Sequence, residues 1–184
     1  MSVNYVSSAG NGATAAISVT IPNFTIGSES NRFVLIAIHS FDSTSTTDQN
    51  ISSGTFDGVG LSLIKSDINN NMRITFAFIA ENDLPGAGSY DIVINTAGIV
   101  DAIYAEAHYF WGDLPIEAFG QALNNGVSSS PSITTTHQTT DPVTMYALTH
   151  RDNPTRSISN VTSGLIEVYD LANGQQRSAG GGKF

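Results

Sequence analysis

The chain has 184 residues, 40% of them hydrophobic, which suits one domain with its own core and is short for two. Charged residues make up only 12%, against a usual share of about 25%, so the polar surface rests on Ser, Thr, Asn and Gly. A net charge of −9 with seven scattered basic residues argues against nucleic acid, whose phosphates need clustered Lys and Arg.

No cysteine is present, which excludes disulfides, thiolate zinc sites, iron–sulfur clusters and cysteine nucleophiles. Met1–Gly12 holds no basic segment followed by a long apolar run, so no secretory leader is expected. No window approaches the roughly 20 apolar residues of a membrane helix. The expectation is a soluble domain made in the cytoplasm, with no membrane partner.

Taken in chain order, the hydrophobic pattern has period 2 nearly throughout. In Ala13–Ile21, the side chains of Ile17, Val19 and Ile21 are expected on one face, with Ser18 and Thr20 on the other. Phe33–Ile38 is a continuous apolar run, too short for a typical helix, and reads as a central strand buried on both faces. Asp57-Gly58, between Thr55-Phe56 and Leu61–Ile64, signals a short hairpin with a type I′ turn. In Arg73–Ala80, Ile74, Phe76 and Phe78 alternate with Arg73, Thr75 and Ala77. Leu84–Gly88 reads as a loop, followed by alternation of Tyr90, Ile92 and Ile94.

Ile99–Trp111 is the longest apolar stretch. Asp101–Ala107 has some helical propensity, but the aromatic end Tyr109-Phe110-Trp111 favours strand. Ile103, Ala105, Ala107 and Tyr109 then share one face, and Tyr104, Glu106, His108 and Phe110 the other. Asn124-Asn125-Gly126 is a loop, and Val143–Thr149 and Leu165–Tyr169 are further strands. Many short strands separated by turn signals predict a single all-β domain, an antiparallel β-sandwich of jelly-roll-like or Ig-like type over residues 1–172. Residues 173–184 read as a Gly-rich tail that is flexible or contacts a neighbouring subunit.

Motifs that carry chemistry fail one by one. Gly180-Gly181-Gly182-Lys183 is not a phosphate loop, because Arg177 stands where glycine is needed and Phe184 replaces the magnesium-binding Ser or Thr. His150-Arg151-Asp152 starts like a kinase catalytic loop, yet Ser157 occupies the place of the required Asn. His39, His108, His137 and His150 show no metalloprotease spacing. Glu106 and His108 lie on one strand face about 7 Å apart by strand rise, a spacing that suits acid–base work, although a surface or interface pair is the default reading. Asp42 and Asp48, and Glu81 and Asp83, lie in acidic loops where calcium is a minority reading. Trp111 and Tyr109 are candidate sugar-stacking or interface aromatics, with core packing as the default for Trp111. Asn23, Asn50 and Asn160 head glycosylation sequons that lack meaning without a secretory route. No catalytic residue, cofactor or metal is expected; Trp111, Tyr109, His108, Glu106 and Phe184 remain as candidate contacts.

Four segments in succession carry a resemblance: Asn31–Ile38, Thr55–Ile64 around Asp57-Gly58, Leu84-Pro85-Gly86-Ala87-Gly88 leading into Tyr90–Ile94, and the aromatic strand with Gly112 before Leu114-Pro115-Ile116. Their order over Asn31–Gly120 resembles a β-sandwich domain common in bacteriophage and environmental bacterial sequences. The matching motifs are turn and core signals, so they imply a fold and not a site. The resemblance implies a virion accessory role on the particle surface, such as a capsid decoration (cement) protein that binds the major capsid protein or another virion protein, as a homo-oligomer or symmetric array. A carbohydrate- or receptor-binding module of a head or tail appendage is the alternative, and an enzyme on a sandwich scaffold ranks third.

Overall fold

The computed structural model describes residues 3–69, 71–112, 144–151, 166–173 and 176–183. Phe184 lies outside them. Among the described residues the strands are β1 (Val3–Ile26), β2 (Arg32–Phe41), β3 (Ile51–Phe56), β4 (Val59–Gly60), β5 (Ser62–Asn69), β6 (Met72–Ala80), β7 (Gly88–Gly112), β8 (Thr144–Arg151), β9 (Ile166–Asn173) and β10 (Gln176–Lys183), and no helix is present. The main sheet runs β4-β3-β7-β2-β6-β5 with β1 on β7, all antiparallel, and is nearly closed into a barrel. The smaller sheet, β8-β10-β9, is antiparallel too.

The near-closure comes from one corner shared by the two longest strands. The amino-terminal arm of β1 pairs with the far half of β7, from Val3 opposite Gly112 to Ala16 opposite Val100. Pairing resumes with Ser18 opposite Asn95 and continues to Ile26 opposite Gly88. At the break, Ile17 alone faces the excursion of Thr96 to Ile99. Thr96 Oγ1 holds it, donating to Ile17 O at 3.0 Å and Gly98 O at 2.7 Å. Ala15 takes a left-handed φ of 48° beside it. The sharpness of the turn is read from Asn11, whose Nδ2 donates to Thr20 O at 2.8 Å, although nine residues of straight strand span about 30 Å.

Other edges of β7 divide in the same way. Its first half pairs with β3, from Phe56 opposite Ile92 to Ile51 opposite Thr96. Its second half pairs with β2, from Phe41 opposite Ala102 to Arg32 opposite Trp111. The two arms therefore face each other across a core of Val19, Ile21, Phe24 and Ile26 from β1, Val34, Ile36 and Ile38 from β2, Phe56, and Ile92, Ile94, Ile103 and Tyr109 from β7. Each fully buried Ile among these contributes about 2 kcal/mol by leaving water.

The far face of the sheet is also apolar, with Phe33, Leu35 and Phe110 packed against Val3, Ile64 and Phe78. This two-sided cover is why β2 is buried at all ten positions, and why its sequence shows a continuous apolar run rather than alternation. In β6 the deep face is Thr75, Ala77 and Ile79, while Ile74, Phe76 and Phe78 are half-buried on the other side. The bulkier set thus does not face the main core. Ile17 also departs from expectation: the bulge beside it turns its side chain outward, 52% exposed, while Val19 and Ile21 point in as anticipated.

The turn signals at Asp57-Gly58 and Leu84–Gly88 hold, while Asn124-Asn125-Gly126 lies outside the described residues. Asp57 and Gly58 have φ of 50° and 81° and join β3 to β4, as a type I′ turn requires. The Gly-rich residues 176–183 form β10, hydrogen-bonded to β8 on one side and β9 on the other. β8 comes near β6, and β9 near β1.

Candidate functional site

Strand alternation along β7 places Tyr104, Glu106, His108 and Phe110 on the face away from the main core. Register supplies their neighbours: Ser8 of β1 and Leu35 of β2 lie opposite His108, Gly10 and Ala37 opposite Glu106, and His39 opposite Tyr104. Glu106 Oε1 is 3.6 Å from His108 Nε2, and the residues are only 2% and 1% exposed.

Aromatic rings wall the pair. Tyr5 lies 6.4 Å from His108 and Phe110 lies 6.5 Å from it, centroid to centroid, and Phe33 stacks on Phe110 at 5.1 Å. His39 sits 6.5 Å from the Tyr104 ring. Tyr104, opposite Gly12 in register, lays its phenol diagonally over Gly10, which has no side chain; a Cβ there would collide with the phenol.

Burial controls the protonation of this group. It pushes the Glu106 carboxyl up to about 8, partly offset by a hydrogen bond from Ser8. It pushes His108 and His39 each down to about 4. Near neutral pH the charged forms are thus disfavoured on both partners: Glu106 keeps its proton and the imidazoles are neutral. Glu106 Oε2 has no hydrogen-bond partner among the described residues. Such a pair has the right groups for proton transfer, but it is closed to solvent, and no set of three His, Asp or Glu side chains gathers as a metal site among the described residues. The expected surface or interface position of Glu106 and His108 is replaced by burial within the chain, because the far face of the sheet is covered too.

A second polar network closes one end of the sheet. Arg32 Nε and Nη2 donate to Glu81 Oε1 at 3.1 and 2.8 Å, Arg32 N to Glu81 Oε2 at 2.6 Å, and Nη1 to Gly27 O at 2.8 Å. The guanidinium holds the Glu81 carboxyl below the usual carboxylate range, against burial. Alongside, Tyr109 Oη donates to Glu29 Oε2 at 2.6 Å, which lowers the Glu29 carboxyl. Tyr109 itself is buried in the main core, with only its hydroxyl engaged at this end.

The acidic loop after β2 is tied to itself. Asp42 Oδ1 accepts from Thr44 N, Thr44 Oγ1 and Ser45 N at 2.7, 2.8 and 2.9 Å. Burial raises the Asp42 carboxyl, and these bonds outweigh it, leaving the group lowered. Gln49 Nε2 donates to Asp42 O and Ser45 O, and Ser40 Oγ donates to Gln49 O. Asp42 Oδ1 and both carboxylate oxygens of Glu81 are thus engaged by the protein's own donors.

Of the candidate contacts among the described residues, Trp111 is the exposed one. Core packing was its default reading, yet it is 36% exposed at the end of β7, between Asn4 of β1 and Arg32 of β2. Tyr5 and Val6 are exposed near the same end of β1. Ile17 and Ile99 are exposed together at the corner, 52% and 66%. Sequence reasoning missed the Arg32–Glu81 clasp, whose partners lie far apart in the chain, Arg32 at the start of β2 and Glu81 in the turn after β6. No protein-family model, characterised protein or solved structure matches the chain.

Proposed function

We propose that the chain is a non-enzymatic assembly domain of a virus particle: a capsid decoration protein that grips the major capsid protein, as a homo-oligomer or symmetric array on the virion surface. The observation that carries the non-catalytic part is the closure of Glu106 and His108, 2% and 1% exposed. An acid–base pair that no substrate reaches performs no chemistry on one. The virion part rests on the resemblance over Asn31–Gly120. The composition suits it: a cysteine-free β-domain assembles in a reducing cytoplasm and tolerates later exposure outside. The finer architecture in this reading is a β-sandwich, whose two layers are the arms of β1 and β7 on either side of their corner.

The deciding experiment is location. Purified particles should contain the protein, and particles made without it should lose stability. Protein that stays free and is absent from purified particles overturns the reading. The exposed Trp111 favours one second reading, a glycan- or receptor-binding appendage, since an indole face stacks on sugar rings. Glycan binding by calorimetry, abolished in Trp111→Ala with the fold intact, would select it.

A further inference from the structure

The Asn11-Gly12 pair sits on the exposed amino-terminal arm of β1. Two hydrogen bonds fix it. Asn11 Nδ2 donates to Thr20 O at 2.8 Å, tying the two arms of β1 together. Gly12 N donates to Asn11 Oδ1 at 2.9 Å, so the backbone nitrogen lies beside the side-chain carboxamide that precedes it. Gly12 has no Cβ to obstruct approach of that nitrogen to the side-chain carbon.

We propose that Asn11 is a site of spontaneous deamidation, held by the fold in the geometry from which the reaction starts. A rotation about χ2 releases both hydrogen bonds and presents the open face of the carboxamide at Cγ to the Gly12 nitrogen, which already lies beside it. That nitrogen gives its proton to solvent base and attacks Cγ, forming a C–N bond. The Cγ–Nδ2 bond breaks and the amide leaves as ammonia, closing a succinimide. Water opens this ring at either carbonyl, giving Asp or isoAsp at position 11. The net change is water in and ammonia out, with no oxidation or reduction.

The product alters the corner described above. The donor facing Thr20 O becomes a carboxylate oxygen, so a hydrogen bond between the arms is replaced by a repulsion between two acceptors. In the isoAsp form the backbone also gains a methylene inside a paired strand. The modification adds one negative charge to a chain that is already acidic.

The test is incubation of the folded protein at mildly alkaline pH, with peptide mass mapping that localises the deamidation mass gain. Asn4, Asn23 and Asn31 serve as internal references in the same region, and the urea-unfolded chain as the unconstrained control. Asn11 should convert several-fold faster than the three references, and at least as fast as in the unfolded chain. The Gly12→Ala variant should slow it several-fold. Slower conversion in the folded protein than in the unfolded one overturns the proposal, because the fold would then protect the site. The Asn11→Asp variant should unfold at a lower midpoint than the parent; an equal midpoint would refute the predicted loss of the arm-to-arm tie.

Discussion

Glu106 and His108 meet at 3.6 Å on one face of β7 with neither side chain more than 3% exposed. That contact, with His39 nearby on β2, fixes how the fold should respond to pH. His39 and His108 have folded values of about 4 against 6.5 unfolded, and Glu106 about 8 against 4.5. Depressed histidines contribute stability above 6.5 that is lost as pH falls through 4. The raised carboxyl contributes stability below 4.5 that is lost as pH rises through 8. Between 4.5 and 6.5 the unfolded chain binds two protons on these groups and the folded chain one, so stability climbs at about 1.4 kcal/mol per pH unit. Above 6.5 the unfolded chain binds none and the folded chain one, and stability falls at a similar slope up to about 8. Urea midpoints measured across this range should peak near 6.5, and Glu106→Gln should flatten the alkaline limb.

Gly10→Ala should destabilise the protein by about 2 kcal/mol, the scale of an overpacked site. The added Cβ meets the Tyr104 phenol rather than open space. Tyr104→Leu clears that contact, so the double variant should lose less than the two single losses added together. Chemical denaturation of the four proteins measures the coupling, and simple additivity would mean that the collision is relieved elsewhere.

Arg32→Ala should cost about 3 kcal/mol, because it strips a nearly buried clasp of its donors to Glu81 and Gly27 O. Glu81 is 39% exposed at its side chain, so Glu81→Gln should cost less, about 1 kcal/mol after screening by solvent. Thermal unfolding of the two variants should rank them in that order.

Gly58→Ala should lower stability by about 1 kcal/mol, since φ of 81° suits glycine and strains any other residue there. Asp57→Asn should be close to neutral, because Asn accepts the left-handed conformation equally well. Circular dichroism melts of the two variants separate these outcomes.

The parts of the fold that were legible in the sequence are those written locally. The buried run of β2, the Asp57-Gly58 turn and the alternation of Ile92 and Ile94 all follow from period and turn chemistry. What failed depends on distant pairing. A single bulge opposite the Thr96–Ile99 excursion reversed Ile17, and nothing in its neighbours announces it. In β6 both faces are apolar, so period alone could not choose Thr75, Ala77 and Ile79 as the deep side. Glu106 and His108 were rightly placed on one strand face, but their burial depends on a cover that spacing does not encode. Trp111 ends a hydrophobic strand, where sequence cannot tell the last buried position from the first exposed one.

The corner shared by β1 and β7 also bears on how the chain reaches its folded state. Among the described residues, every pairing that β1 makes is with β7, and Val3 waits for Gly112. Contacts this distant in sequence close slowly. During synthesis, a strand of 24 residues without one charged side chain must therefore remain without its partner until β7 has emerged. For that interval the protein depends on the glycines, the bulges and Pro22 of β1 to discourage the wrong neighbour.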